Sequence, residues 1–134
     1  TVTYAIELRE AIYRVFAAIA HDATPERIDL DAIETAYRSA LGHAWLQRHG
    51  ECFDWTWDDA PALDRILWPV ARSAIELLTE DHLARVKQCP GTDDCGWLFL
   101  DLSKNGTRRW CRMEGCGSRA KMRRQYARQK RAAT

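Results

Sequence analysis

Apolar residues recur at helical spacing near the start of the chain. Leu8, Ile12, Val15, Phe16 and Ile19 fall on one side of a helix predicted from Tyr4 to about Ala20, with Thr3 placed as its cap. His21 to Arg27 reads as a loop punctuated by Pro25. Asp31-Ala-Ile-Glu34 has the form of a capping box, opening a second helix whose buried stripe is Ile33, Ala36, Tyr37, Ala40 and Leu41 and whose stop is Gly42. The period then shortens to two. Phe53, Trp55 and Trp57 alternate with Cys52, Asp54 and Thr56, and Ala44–Arg48 precedes them across His49-Gly50, which predicts a half-buried β-hairpin. Asp58-Asp59-Ala-Pro61 opens a third helix, apolar at Leu63, Ile66, Leu67, Val70, Ala74, Ile75 and Leu78. Pro69 must kink or divide it, because its ring clashes with the preceding turn. Leu83–Gln88 is a short connector with strand character.

The final third changes character through its cysteines. Cys89 and Cys95 form one close pair and Cys111 and Cys116 a second, separated by fifteen residues. Two such pairs suit a tetrahedral zinc site of four cysteines, in which thiolates fill every position and leave no vacancy for a substrate water. Iron also accepts four thiolates, and two disulfides in an exported protein are the competing assignment. Clustering of an odd total of five cysteines favours the metal, and Cys52, which lies apart, reads as a small buried apolar residue. Between the pairs, Asn105-Gly106 is a strong turn signal. It predicts strands over 96–101 and 107–110, packed by Trp97, Phe99 and Trp110 over the metal. Ser118 then caps a last helix to about Arg131, with Met122 and Tyr126 available to pack on that hairpin.

The predicted fold is therefore α+β, mainly α: a helical region with a small hairpin at 1–84 and a treble-clef-like zinc finger at 85–134. Net charge conceals this division. Residues 1–88 carry nine Lys/Arg against fifteen Asp/Glu, and residues 89–134 carry eleven against four, for a total of +1. The last helix holds Arg119, Lys121, Arg123, Arg124, Arg128, Lys130 and Arg131 without an acid, and Arg108, Arg109 and Arg112 extend the basic surface. Such self-repelling charge suits a polyanion, with Arg108, Arg109, Lys121 and Arg124 on phosphates and Arg119 and Arg123 on base edges. Single-stranded RNA stacking on Trp97 or Trp110, or an acidic protein partner, are the alternatives.

Six tryptophans could line a small-molecule pocket, but core filling is the favoured reading of Trp45, Trp55, Trp57 and Trp68. The four histidines have no metal-ligand spacing, and no nucleophile has a base or oxyanion group beside it, so no enzyme is expected. No uncharged run approaches the ~20 residues that span a bilayer. The start lacks signal-peptide features, which points to the cytoplasm, and it lacks an initiator methionine, which points to a shortened chain.

Cys95-Gly-Trp-Leu-Phe-Leu-Asp101, Arg108-Arg-Trp-Cys111 and Cys116-Gly-Ser-Arg119-Ala-Lys121 resemble the CGNR zinc finger of bacterial regulators over roughly residues 85–131. Residues 4–84 resemble the ABATE region more loosely, through Leu8-Arg9-Glu10-Ala11 and Trp68-Pro-Val-Ala-Arg-Ser73; the Leu-Asp-Phe-type opening motif of that region is not present. The resemblance implies a stress-linked transcription regulator of unknown oligomeric state, with Cys89, Cys95, Cys111 and Cys116 as Zn2+ ligands, DNA as partner and a ligand-sensing front region. Serine at 118 departs from the asparagine in the family signature, so no contact by that amide carries over to this chain.

Overall fold

The computed structural model describes residues 2–59, 61–91 and 95–132. Four α-helices are joined by two antiparallel strand pairs: α1 (Val2–Ala20), α2 (Arg27–Leu41), β1 (Ala44–His49), β2 (Cys52–Trp57), α3 (Trp68–Thr79), β3 (Val86–Gln88), β4 (Leu98–Leu100) and α4 (Ser118–Ala132). The chain divides into two compact units, one built from the residues up to Val15 with Thr24–Leu83, the other from Phe16–Ala23 with Ala84 onward.

In the first unit, Leu8, Ala11 and Val15 of α1, Ile33, Ala36 and Ala40 of α2, and Trp68, Ala71 and Ala74 of α3 are buried. The small residues of α2 and α3 let these two helices pack closely. Helix α1 begins at Val2, so Thr3 lies within it instead of capping it. Helix α2 starts ahead of the expected capping box, directly after Pro25 and an extended Glu26. The cause is electrostatic. Arg14 donates through Nη2 and Nε to the buried Asp29, at 2.6, 2.9 and 3.1 Å, which draws Asp29 inside the helix. Asp31 and Glu34 then serve as helical partners of Arg27, at 2.6 and 3.1 Å.

The β1–β2 hairpin forms in the predicted place, Trp45 opposite Thr56 and His49 opposite Cys52, with Gly50 at φ +62° in the turn. Its burial is not as predicted. Trp45, Leu46, Phe53 and Trp55 remain exposed, as does Cys52. Only Trp68 among the tryptophans of this unit is a core residue; His43 stacks on it at 4.1 Å and Trp57 lies 6.0 Å away. The third helix begins ten residues later than Asp58, at Trp68. Pro69 sits in its first turn, where a missing N–H costs nothing, and Arg65–Leu67 forms a separate 3-10 turn. Leu63 and Ile66 therefore face solvent.

In the second unit, β3 pairs with β4, Val86 opposite Leu100 and Gln88 opposite Leu98. The strand pair thus flanks the first cysteine pair, whereas the sequence predicted a hairpin between the two pairs. Residues 101–112 are irregular. Their backbone groups are taken by side chains: Asp101 accepts from the Ser103 and Arg108 amides at 3.0 Å each, and Lys87 donates to the Gly106 carbonyl at 2.5 Å. The Arg108 amide and carbonyl, which a strand at 107–110 would use for its ladder, are thus bonded to Asp101 and Lys87. No helix among the described residues is long and apolar enough to cross a membrane.

Candidate metal centre and basic helix

The β3–β4 pair presents Cys89 and Cys95 from the loop between its strands. The Cys89 amide donates to the Trp97 carbonyl at 2.8 Å, which continues the strand pairing up to the ligands. Gly91 turns the loop at φ +59°, and a Cβ there would stand 2.7 Å from the Cys95 nitrogen. Only glycine meets both demands. Cys111 arrives on the irregular segment, and Cys116 on a π-helical turn, Met113–Gly117, that runs into α4. The Ser118 hydroxyl donates back to the Met113 carbonyl at 2.9 Å, and Ser118 is itself helical, so it ties that turn to α4 without acting as the expected N-cap.

These elements bring all four sulfurs within 4.8 Å of one another. Cys95 and Cys111 are 3.7 Å apart, Cys111 and Cys116 3.8 Å. A disulfide requires about 2.05 Å. A tetrahedral ion with metal–sulfur bonds of about 2.3 Å requires edges of about 3.8 Å, which the Cys95–Cys111 and Cys111–Cys116 separations meet. Burial pushes the Cys89 thiol up, but hydrogen bonds with the Cys111 and Gly91 backbone and with the Cys111 and Cys116 side chains together outweigh it and bring Cys89 to about 7. Cys116 is pushed up to about 12, by its contact with Cys95 first and by burial second. Sulfurs this close cannot all ionise unless a cation compensates them. The donor set suits one metal ion.

A buried acid supports the centre. Asp101 is fully buried and accepts from Lys87 Nζ at 2.6 Å and from the Ser103 hydroxyl at 2.5 Å besides the two amides. Lys87 first, then Ser103, hold its carboxyl well below the usual carboxylate range. Arg85 donates to the carbonyls of Asp101 and Ser103 at 3.0 and 2.9 Å. This network fixes the segment that delivers Cys111. Sequence alone does not reveal it because Lys87 and Asp101 lie far apart along the chain; the signal was Asp101 as the only acid between the two cysteine pairs.

The predicted nucleic-acid residues fall into three groups. Arg108 stacks over Phe99 at 4.8 Å and donates to the Trp110 carbonyl at 2.9 Å and to the Cys111 carbonyl. Its guanidinium braces the ligand segment. Arg109 lies over the Trp110 ring at 5.6 Å, and Arg112 is exposed beside the second cysteine pair. Arg119, Lys121, Arg123, Arg124 and Arg128 are all exposed on α4. Met122 and Tyr126 do not pack on a hairpin: they are 69% and 73% exposed, and the second strand of the hairpin that would receive them, at 107–110, does not form. Trp97 is also exposed, at 67%, so it does not cover the metal as expected.

Two family models match the chain. One, described as "CGNR zinc finger", covers residues 85–129, and the other, ABATE, described as "Putative stress-induced transcription regulator", covers residues 1–81. Neither the curated proteins nor the solved structures contain a match.

Proposed function

The chain belongs to the ABATE family, and from that premise we propose that it is a zinc-dependent transcription regulator that binds duplex DNA through its C-terminal unit. One observation carries the reading: four sulfurs converge at the entrance to a helix that holds seven Lys/Arg and no acid. Cys89, Cys95, Cys111 and Cys116 would hold the ion. When bound, zinc supplies folding free energy to a piece too small to bury much core, on the order of 10–16 kcal/mol in comparable small domains. The role is structural and non-catalytic, since four thiolates leave no open position.

Charge at this surface is favoured by phosphate, because each neutralised phosphate releases condensed counterions. Arg109, Arg112, Lys121, Arg124 and Arg128 are the proposed phosphate contacts, with Arg119 and Arg123 beside the helix start. Arg108, bonded to two carbonyls of the ligand segment, contributes chiefly by holding that segment in place. The acidic first unit is proposed as the regulatory part that receives a signal.

Fluorescence anisotropy of the zinc-loaded chain on duplex DNA tests the reading. Affinity should fall with salt at about 0.9 log units per contact, a slope on the order of −4 to −5 for five contacts. It should also vanish when a chelator strips the metal. Binding that ignores chelation, or no binding at low salt, would sink the proposal.

A further inference from the structure

Helix α4 has two unlike sides. At about 100° per residue, Lys121, Arg124, Gln125 and Arg128 fall within a single arc of about 100°. Arg119, Arg123, Tyr126 and Lys130 centre on the opposite side. The distinction is also one of engagement. Arg119, Arg123 and Lys130 each interact with another group of the chain. Among the described residues, no hydrogen bond or ion pair holds Lys121, Arg124 or Arg128, all of which are exposed. Cations already engaged lose part of what a new contact would give them. Unengaged ones are free to meet phosphates.

Gln125 is the only uncharged polar residue of α4 in that arc, and its amide offers a donor and an acceptor side by side. In the major groove adenine alone presents the matching N7 acceptor and N6 donor to a single planar amide. The stripe from Lys121 to Arg128 rises about 10 Å, close to the roughly 12 Å width of that groove. Its ends can therefore meet the two flanking backbones while its middle faces base edges.

We propose that this face of α4 enters the major groove, with Gln125 reading an adenine and Lys121, Arg124 and Arg128 seated on the flanking phosphates. The assignment rests on the duplex-DNA reading above and names its specificity residue. It moves base reading from Arg119 and Arg123, which lie on the far side, to a residue midway along the length of the unengaged stripe. Exposed positions on one helix can be changed without disturbing the metal centre.

The test uses the zinc-loaded full chain. A duplex is selected from a random pool, and anisotropy compares it with versions in which each A·T pair is changed to G·C. The wild type should lose about tenfold or more at one such position. Gln125→Ala should abolish that preference while leaving the salt slope unchanged. The combined Lys121→Ala, Arg124→Ala and Arg128→Ala protein should flatten the slope by about 0.9 per side chain. Lys130→Ala, on the other side, should change neither. If the wild type binds duplex DNA but Gln125→Ala keeps the preference, or the triple variant keeps the slope, the face assignment is wrong and DNA binding stands. If the wild type binds no duplex, or binds single-stranded RNA more tightly, both readings fall together.

Discussion

Replacing Gly91 by alanine perturbs the metal centre through the backbone alone, and Gly106 provides its control. Both residues have positive φ, +59° and +61°. An L-residue in that conformation costs roughly 1–2 kcal/mol. At Gly106 an added Cβ meets nothing within 4 Å, so that strain is the whole cost. At Gly91 it would lie 2.7 Å from the Cys95 nitrogen and 2.9 Å from its Cβ, so the ligand loop must move. Overpacking of this kind adds roughly 1–3 kcal/mol. Folding of so small a unit is coupled to metal binding, so the cost appears as weakened metal affinity. Gly106→Ala should lose about 5- to 30-fold, and Gly91→Ala from about 30-fold to several thousand-fold, at about 1.4 kcal/mol per decade. Competition for zinc with a chromophoric chelator measures both. Equal losses in the two variants would show that the close approach to Cys95 has no energetic consequence.

Chelation should unfold the C-terminal unit while helices α2 and α3 persist, seen by circular dichroism as partial loss of helix and by trypsin as new cuts confined to Arg85–Arg131. Asp101→Asn should lower the thermal midpoint of the zinc-loaded unit by about 5 °C or more. Because the folded carboxyl is held below its unfolded value near 3.9, that stabilisation is fully present above about pH 5. It disappears only as pH falls through the lower folded value, so a difference between wild type and variant that changes from pH 6 to pH 8, compared at saturating zinc, would contradict the ion-pair account. Arg14→Ala should destabilise the helical unit more than the double variant Arg14→Ala/Asp29→Ala, since the single change strands a buried carboxylate. Urea midpoints of the two proteins decide this; a double variant weaker than the single one would refute it.

The cysteine spacing and the run of arginines were legible because each is a local pattern. Cys89 to Cys95 and Cys111 to Cys116 come from short segments, and their sulfurs converge within 4.8 Å whatever the route between them. The hairpin at Gly50 was equally local. What escaped the sequence was the outcome of competition between partners distant along the chain. Asn105-Gly106 does turn the chain, with Gly106 at positive φ, yet Asp101 and Lys87 claim the backbone groups a second strand would have used. The capping-box pattern at Asp31 lost to Arg14, whose bond to Asp29 draws the helix start back toward Pro25. Alternation at Phe53, Trp55 and Trp57 gave the strand but not its burial, because period two says which residues share a face and nothing about what covers it.

Titration with cobalt(II) probes the account where it is most exposed. Four thiolates on a single ion give an intense thiolate-to-metal absorption and tetrahedral d–d bands that saturate at one cobalt per chain, displaced by zinc, with each of Cys89→Ser, Cys95→Ser, Cys111→Ser and Cys116→Ser weakening the signal and Cys52→Ser leaving it intact. Saturation without tetrahedral bands, or a chain whose mass shows two disulfides and which takes up no cobalt, would contradict it.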